Sequence, residues 1–269
     1  MIRGDAEECI PLDQIRNLLV VTQSCSVSAP LLNELSKRFV NVILCDEKRM
    51  PSCHIALSLY GHTESAGRII EQSQWNKERK DLIWQHIAKE KISNQCGALA
   101  ASGLQIPEQM PHYLESIAPG DSSNREALAA RTYFAAMFGY FFIRNASDDI
   151  NAALNYGYAL IKSAMTRIVV SHGYHPALGI KHSSASNPYN LSCDLMEPFR
   201  PAVDRFVFKN KERRFDYWYK RDILSLFCLN IHYGGREMNI SDAMEEFALD
   251  VLRSMNCDTV SIKKVVSYE

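Results

Sequence analysis

The sequence predicts an α+β protein in which a small β-rich N-terminal domain is followed by a larger all-α domain. Two observations lead to this prediction. Short apolar runs of strand length are concentrated in about the first 60 residues. Over most of the remaining chain, apolar residues recur at helical spacing. We therefore place the first domain at residues 1–62 and the second at residues 68–269.

The N-terminal domain is predicted to hold short strands around one helix. Ser28 stands before Ala-Pro and a group of leucines at helical spacing, which predicts a helix over 28–39. The predicted strands are the apolar runs at residues 12–21, 40–45 and 55–60. Residues 61–67 contain two glycines and show no periodicity, so we expect a linker there.

The second domain is predicted from apolar residues that recur every three to four positions. The first amphipathic segment covers 68–94, amid many Lys and Glu residues. Further helices are expected at residues 107–117, 124–143, 149–171, 217–230 and 241–255. Residues 173–201 interrupt the pattern with Gly, Pro, Ser, Asn and His. Such a long irregular segment inside a helical domain is usually functional or disordered.

The composition excludes several classes of protein. Hydrophobic residues make up 46% and charged residues 23%, as in ordinary globular proteins. No run approaches the roughly 18–20 uninterrupted apolar residues of a membrane span, and the start MIRGDAEE resembles no targeting signal. The eight cysteines lack Cys-x-x-Cys spacing and mostly lie in apolar runs. We interpret them as reduced core residues of a cytoplasmic protein.

The charge pattern leaves nucleic-acid binding open. The net charge of -1 removes the simplest argument for a nucleic-acid binder, although a local basic face could still bind phosphate. Residues 205–221 carry seven Lys or Arg against two Asp or Glu, a local +5 that leaves -6 for the rest. Six aromatic residues are interleaved. This basic segment predicts either phosphate binding with base stacking, or a solvated loop whose aromatics face the core.

Candidate metal ligands occur in and before the irregular segment. His182, Asp194 and Glu197 lie within 15 positions, and imidazole with carboxylates suits Mg²⁺ or Mn²⁺. Asp194 and Glu197 would share one face of a helix, yet their spacing also fits, and favours, a helix-start cap. Glu126 follows Ser123 by three residues and fits a capping box at least as well as a catalytic role.

Five stretches of the sequence resemble a known family. They are residues 3–5 with 10–15, 41–48 (NVILCDEK), 125–134 (REALAARTYF), 154–160 (LNYGYAL) and 173–201. In these stretches the chain is similar, in order from residue 1 to about 255, to the Cas-one (Cas1) family of CRISPR-associated endonuclease/integrases. The resemblance is greatest to the versions from type II systems.

The resemblance implies a metal-dependent DNA endonuclease and integrase whose helical domain is catalytic. In this family, two homodimers flank a dimer of Cas2. The assembly captures a short DNA fragment (a protospacer) and inserts it into a CRISPR repeat array as part of antiviral defence. The insertion is a transesterification, in which a 3′ hydroxyl attacks a repeat phosphodiester. The expected cofactor is Mg²⁺ or Mn²⁺, and the expected partners are DNA, a second copy of the chain and Cas2.

The resemblance also implies site residues, position by position. The family's metal triad of glutamate, histidine and an acidic residue matches Glu126, His182 and Glu197, which are expected to be metal ligands and catalytic residues. Asp194 matches a nearby acidic position and is expected to support a ligand. The candidate DNA contacts are basic residues near these ligands or in the basic segment: Arg131, Lys181, Arg200, Lys209, Lys211, Arg213 and Arg214.

The chain departs from the family pattern at its start. Family members usually begin with strands ahead of the part that matches residues 2–5, so the first strands are expected to be missing or the start to be an internal methionine. Two other functions stay open. One is a stand-alone metal-dependent DNA nuclease of the same ancestry. The other is a non-catalytic DNA-binding helical scaffold in which Glu126 and Glu197 serve as helix caps.

Overall fold

Helices dominate the structure, and short strands form small sheets. The computed structural model describes residues 2–3, 6–7, 9–55 and 62–266, with side chains for 9–52 and 62–265. The strands are β1 (Ile2–Arg3), β2 (Ala6–Glu7), β3 (Asn17–Val20), β4 (Asn41–Cys45), β5 (Pro51–Ile55), β6 (Asn230–Tyr233), β7 (Arg236–Asn239) and β8 (Val265–Val266). The α-helices are α1 (Ala29–Lys37), α2 (Ser65–Ser73), α3 (Lys77–Ala100), α4 (Gln109–Ser116), α5 (Arg125–Phe138), α6 (Asp149–Ser171), α7 (Asn190–Met196), α8 (Arg200–Lys209), α9 (Tyr217–Ile223) and α10 (Ile240–Asn256).

The N-terminal part is a β–α–β unit with one added antiparallel strand. β3 pairs with β4 in parallel, Asn17 opposite Asn41, and β4 pairs with β5 in antiparallel orientation. The predicted strand at 40–45 is confirmed. The run at 12–21 forms a 3₁₀ turn before it enters β3, so the strand prediction holds only for its second half.

Helix α1 crosses between the two parallel strands. It begins at Ser28, whose Oγ accepts a hydrogen bond from the amide of Leu31 at 3.4 Å, with a proline in the first turn. The helix buries Leu35 against Val40 and Val42 in a small core of its own. The helix predicted from Ser28 is therefore confirmed.

The region between the strands and α3 differs from the prediction. Residues 56–60 of the third predicted strand, and Gly61 of the predicted linker, lie outside the described residues. The linker prediction is wrong for 65–67, because α2 already begins at Ser65. The helix predicted over 68–94 is two helices, α2 and α3. Asn76 starts the second by accepting a hydrogen bond from the amide of Arg79 at 2.8 Å.

Helix α3 is the centre of the helical core. It contacts α4, α5, α7, α8 and α10 as well as β8, and Ile83, Ile87 and Ile92 have no exposed surface. A helix enclosed by others buries residues on more than one face, so the amphipathic pattern predicted from the sequence is weak here. The second long helix, α6, contributes to the same core and packs against α7, α8 and α10.

The C-terminal part is not all-α, which corrects the predicted fold class. β6 and β7 form a hairpin, and β8 pairs with the other edge of β6. The turn consists of Gly234 and Gly235 with φ of +57° and +79°. Two positive φ angles define the turn type that matches strand twist, and glycine adopts them without strain. The helix predicted over 217–230 accordingly stops before β6.

The N-terminal sheet contacts the helical core through polar groups. The side-chain Nδ2 of Asn41 donates a hydrogen bond to Ser163 Oγ, on α6, at 2.5 Å. Arg167, also on α6, donates to the backbone carbonyl of Phe39 at 3.0 Å. These contacts place the sheet against α6. The division of the chain into domains at residues 62 and 68 stays a prediction.

The cysteines differ from the predicted pattern. Seven of them are free thiols in the described part of the chain. Of these, Cys45 is buried, whereas Cys9, Cys25, Cys228 and Cys257 are exposed. Their assignment to the core is therefore wrong for most of them. A separate finding concerns the helices: in the described residues, none is both long and apolar enough to pass through a lipid bilayer.

Candidate metal centre

Two glutamates from distant parts of the chain meet at one buried lysine. Glu126 lies in the first turn of α5, and Glu197 begins a 3₁₀ turn directly after α7. The ammonium nitrogen of Lys91, on α3, contacts Glu126 Oε1 and lies 2.5 Å from Glu197 Oε2. Lys91 is 7% exposed and Glu197 is 3% exposed. Both predicted carboxylates thus contact the same ammonium group, which is almost fully buried.

The helix-cap interpretation of Glu126 is wrong. At the start of α5, Asp121 accepts hydrogen bonds from the amides of Arg125 at 2.8 Å and Glu126 at 3.0 Å. Asp121 therefore accepts the backbone hydrogen bonds at the start of α5 and is the capping residue of this helix. The side chain of Glu126 instead contacts Lys91.

Glu197 is likewise used for charge pairing and not for capping. Its second oxygen, Oε1, lies 2.9 Å from the guanidinium of Arg200. The turn that carries it is fixed to α3, because Asn94 donates to the carbonyl of Pro198 at 2.8 Å. Two cations and a rigid turn thus set the direction of this carboxylate.

Asp194 organises the loop that carries His182. Asp194 has no exposed surface, and its Oδ2 accepts hydrogen bonds from the amides of Ile180 at 2.6 Å and Lys181 at 3.1 Å. Its Oδ1 accepts from the amide of His182 at 3.1 Å and lies 2.6 Å from His182 Nδ1. A carboxylate beside Nδ1 favours the tautomer with the proton there, which leaves the Nε2 lone pair free. This supports the expectation that Asp194 assists a ligand.

The electrostatics keep the carboxylate of Glu197 ionised. Burial raises the pKa of Glu197, but Arg200 and Lys91 outweigh burial, so the pKa lies below its ordinary value. Burial likewise lowers the pKa of Lys91, and the charges of Glu197 and Glu126 reverse that effect. The hydrogen bond to Asp194 raises the pKa of His182 despite burial, with help from the charges of Asp194 and Glu197. Because a metal ligand must be neutral imidazole, protonation of His182 at low pH opposes metal binding.

The donor set fits a hard divalent cation, although the three predicted ligands do not converge on one point. Among the described residues, no three His, Cys, Asp or Glu side chains are grouped closely enough to hold a metal ion. The ammonium of Lys91 lies between the two carboxylates instead. Glu197 Oε2 is buried and lies 2.5 Å from this ammonium. Carboxylate oxygens are ligands that Mg²⁺ and Mn²⁺ prefer, and two carboxylates would balance the ion's charge.

Gly179 allows the His182 loop to fold onto Asp194. A Cβ at Gly179 would overlap the backbone oxygen of His182 and lie 2.9 Å from Asp194 Oδ2. Gly179→Ala should therefore displace His182 and cost about 1–3 kcal/mol of stability. Thermal unfolding measures this loss.

Gly67→Ala is the matched control for Gly179→Ala. A Cβ at Gly67 meets nothing within 4 Å, and the residue lies inside α2, where alanine is favoured over glycine. This variant should have equal or greater stability than the unaltered protein. Equal behaviour of the two variants would show that the loop does not depend on Gly179.

The basic segment at 205–221 divides into a buried and an exposed part. Its first residues belong to α8, so the loop interpretation is wrong there. Tyr219 is buried, and Phe206, Phe208 and Phe215 pack against the core. Tyr217 and Trp218 are 40% and 53% exposed. The core-facing interpretation thus holds for four of the six aromatic residues, and the stacking interpretation remains available for two.

The candidate DNA contacts lie in different environments. Lys209, Lys211, Arg213, Arg214 and Arg131 are exposed, although Arg213 also pairs with Asp222 at 3.0 Å. Lys181 donates to the carbonyl of Gly120 at 2.6 Å. Arg200 is engaged by Glu197 at the candidate metal centre, so it acts there as a counter-ion. DNA binding by these residues stays a prediction.

Sequence reasoning missed Lys91. Lys91 is one of the buried residues of α3, together with Trp84, Ile87 and Ala98. A lysine at such a position is rare unless it is paired, which is the signal that could have identified it.

Comparisons with known proteins identify the family. The sequence profile described as CRISPR associated protein Cas1 matches residues 1–216. The CRISPR-associated endonuclease Cas1 of Neisseria meningitidis serogroup C (strain 8013) is 36% identical over 199 residues. That match covers 74% of this chain but 65% of the relative, so the chain spans slightly less than two thirds of that protein.

Solved structures of low sequence identity share the fold. A casposase bound to its integration product has a TM-score of 0.76 at 20% identity, with 95% of this chain and 83% of that chain covered. A Cas6-RT-Cas1–Cas2 complex has a TM-score of 0.67 at 15% identity, with 93% and 32% covered. The family profile spans most of this chain, and both its predicted carboxylates meet at one buried position. The chain belongs to the CRISPR associated protein Cas1 family.

Proposed function

We propose that this protein is a metal-dependent DNA endonuclease and integrase that inserts new DNA into a CRISPR array during antiviral defence. The observation that carries the proposal is the meeting of Glu126 and Glu197 at a single buried cation, in a chain of the Cas1 family. Carboxylate oxygens are the ligands that Mg²⁺ and Mn²⁺ prefer, and here two carboxylates already lie around one cation. A non-catalytic scaffold has no use for two glutamates that meet at a buried lysine and do not cap helices.

The side chains of Glu126, Glu197 and His182 would hold the divalent ion. When bound, it polarises a phosphate and stabilises the charge that develops on the departing oxygen. Asp194 favours the tautomer of His182 with its proton on Nδ1, which leaves the Nε2 lone pair free for a metal ion. Arg200 keeps Glu197 ionised and directs it. Burial of Glu197 limits competition by water for the same positions.

The proposed reaction exchanges one phosphodiester for another. The 3′ hydroxyl of the incoming DNA forms a bond to a repeat phosphorus, while the bond to the repeat's own 3′ oxygen breaks and that oxygen leaves with a proton. With water in place of the hydroxyl, the same site hydrolyses the strand. The exchange conserves the number of phosphodiester bonds, so the protein needs to supply positioning and charge stabilisation, and no other energy source.

The proposed partners are DNA, a second copy of the chain and a Cas2 dimer that bridges two dimers. Support comes from the fold, which this chain shares with the casposase that holds its integration product and with the Cas1–Cas2 complex. The exposed basic residues Lys209, Lys211 and Arg214 provide charge for phosphate contacts. Tyr217 and Trp218 beside them offer exposed rings on which unpaired bases could stack.

A strand-transfer assay tests the proposed reaction. A labelled DNA fragment is incubated with the protein, Cas2 and a plasmid that carries a CRISPR repeat. Joining is expected with Mg²⁺ or Mn²⁺ and a 3′-hydroxyl fragment, because the hydroxyl is the attacking group. No joining is expected with EDTA, or when the fragment ends in a 3′-deoxy nucleotide.

The controls separate the proposal from its alternatives. Joining that persists in EDTA, or with the 3′-deoxy fragment, would contradict the proposed chemistry. Metal-dependent cleavage without joining, independent of Cas2 and of the repeat, would assign the protein as a stand-alone nuclease. DNA binding with neither reaction would assign it as a scaffold.

A further inference from the structure

Lys91 occupies a position where a lysine is costly. It lies on α3 next to Ile92, which has no exposed surface, and one turn after Ile87 and Ala88, which have none either. Its own exposure is 7%. Burial of an ammonium in such surroundings destabilises the fold unless opposite charges compensate it. The burial of Lys91 is therefore compensated by the two carboxylates that its ammonium contacts.

The four groups that form ion pairs at Lys91 and Glu197 balance in charge in the absence of any metal ion. Glu126 and Glu197 provide two negative charges, and Lys91 and Arg200 provide two positive charges. A divalent cation added to this set would leave an excess of two positive charges in a buried space. Without Lys91, the same cation would leave an excess of one. Lys91 therefore opposes the divalent ion by charge as well as by position.

Lys91 bridges the two carboxylates directly. Its ammonium donates a hydrogen bond to Glu126 Oε1 and lies 2.5 Å from Glu197 Oε2, which is fully buried. The ammonium therefore occupies the place between the two carboxylates that a shared metal ion would need.

We propose that Lys91 is a built-in counter-ion, which holds the two ligand carboxylates together in the metal-free protein and is displaced when the divalent ion binds. The inference rests on the proposed metal site at Glu126 and Glu197. Lys91 prevents the two carboxylates from repelling each other while the site is empty of metal. The same charge weakens metal binding, so it sets the concentration of free Mg²⁺ or Mn²⁺ at which the site fills. Lys91 is thus a positioning residue.

Removal of the ammonium should destabilise the metal-free protein and should strengthen its binding of Mn²⁺. In EDTA, Lys91→Met should lower the unfolding temperature by about 5 °C or more, because two buried carboxylates lose their shared cation. With Mn²⁺, the same variant should recover most of that loss. Its dissociation constant for Mn²⁺ should be about tenfold lower than that of the unaltered protein, since a competing charge is gone. Thermal unfolding and isothermal titration with MnCl₂ measure both effects on the whole 269-residue chain.

Three further variants make the test specific. Lys91→Gln keeps hydrogen-bond donors without the charge, so it should fold in EDTA and still bind Mn²⁺ more tightly. Lys91→Arg keeps the charge and should restore the weaker affinity. Lys89→Met removes a lysine from the same helix about 200° away around its axis, and should change neither value.

The outcomes separate this inference from the proposed function. If the unaltered protein and every variant fail to bind Mn²⁺, the metal site itself is wrong. If the unaltered protein binds Mn²⁺ but the Met and Gln variants bind it equally or more weakly, the proposed role of Lys91 is wrong. A Met variant with the same unfolding temperature as the unaltered protein in EDTA would also overturn the role of Lys91 in holding the carboxylates.

Discussion

Replacing Glu197 by glutamine should lower DNA strand transfer at least about a thousandfold, which corresponds to a loss of roughly 4 kcal/mol of transition-state stabilisation. The amide has the size of the carboxylate but lacks the charge that a divalent cation needs from its ligand. In the structure, this carboxylate is 3% exposed and contacts both Lys91 and Arg200. His182→Ala should give a loss of similar size, because it removes the nitrogen ligand.

DNA affinity should change little in either variant, because phosphate contacts depend on surface cations and not on the buried ligands. Fluorescence anisotropy with labelled DNA at fixed salt measures this affinity, and gel analysis of joined products measures strand transfer. Full activity of Glu197→Gln or His182→Ala in Mg²⁺ and in Mn²⁺ would remove that residue from the site.

Glu90→Gln is a matched control for Glu197→Gln. Glu90 is also on α3 and is largely buried, and it accepts a hydrogen bond from the amide of Val265 at 2.7 Å. Burial raises the pKa of Glu90 to about 7. Because this pKa is above that of the unfolded chain, its contribution to stability is full below about pH 4.5 and is lost as the pH rises through about 7. The Gln variant should keep strand transfer and should lose less stability than the unaltered protein between these pH values.

Replacing Asp194 by asparagine should reduce strand transfer by a factor of about 100 to 10,000 and weaken Mn²⁺ binding by about 10–100-fold. Every polar group that faces Asp194 in the structure is a donor: three backbone amides and the Nδ1 of His182. An asparagine must turn its NH₂ toward one of these pairs. If it faces His182, the ring takes the other tautomer and loses the Nε2 lone pair.

The same substitution should also lower stability, because a buried donor then meets other donors. We expect a loss of about 2–4 kcal/mol, or roughly 5–10 °C in unfolding temperature. Asp250→Asn provides the comparison. Asp250 is 8% exposed and accepts from the hydroxyl of Tyr233 at 2.7 Å, in the C-terminal sheet region. Its variant should retain strand transfer and Mn²⁺ affinity, and an Asp194 variant with equally intact function would refute the tautomer argument.

Several elements were predictable from local signals. Ser28 with the following proline predicts the start of α1, and the apolar run after residue 40 predicts β4. In each case the determinant is within a few residues of the element that it forms, so one sequence suffices. The pairing of Glu126 with Glu197 came from the family resemblance, since their spacing alone favoured helix caps or left the choice open.

Other features depend on contacts between distant parts of the chain. Spacing could not tell whether Glu126 caps α5, because the cap comes from Asp121, which a left-handed turn at Asn124 brings back to the helix start. Lys91 meets carboxylates 35 and 106 positions further along the chain, which no local pattern contains. The β6–β7 hairpin was predictable from the Gly234-Gly235 pair, and the helical pattern before it concealed that signal.

The central position of α3 restricts how this protein can be divided. The helix supplies Lys91 to the candidate metal centre and also packs against helices from both halves of the chain. A backbone cut in any loop between α3 and α7 would place Lys91 on one fragment and Glu197 on the other. The fragments would have to reassociate through the core before the site could exist. Two-fragment forms should therefore be divided outside the segment between residues 91 and 200.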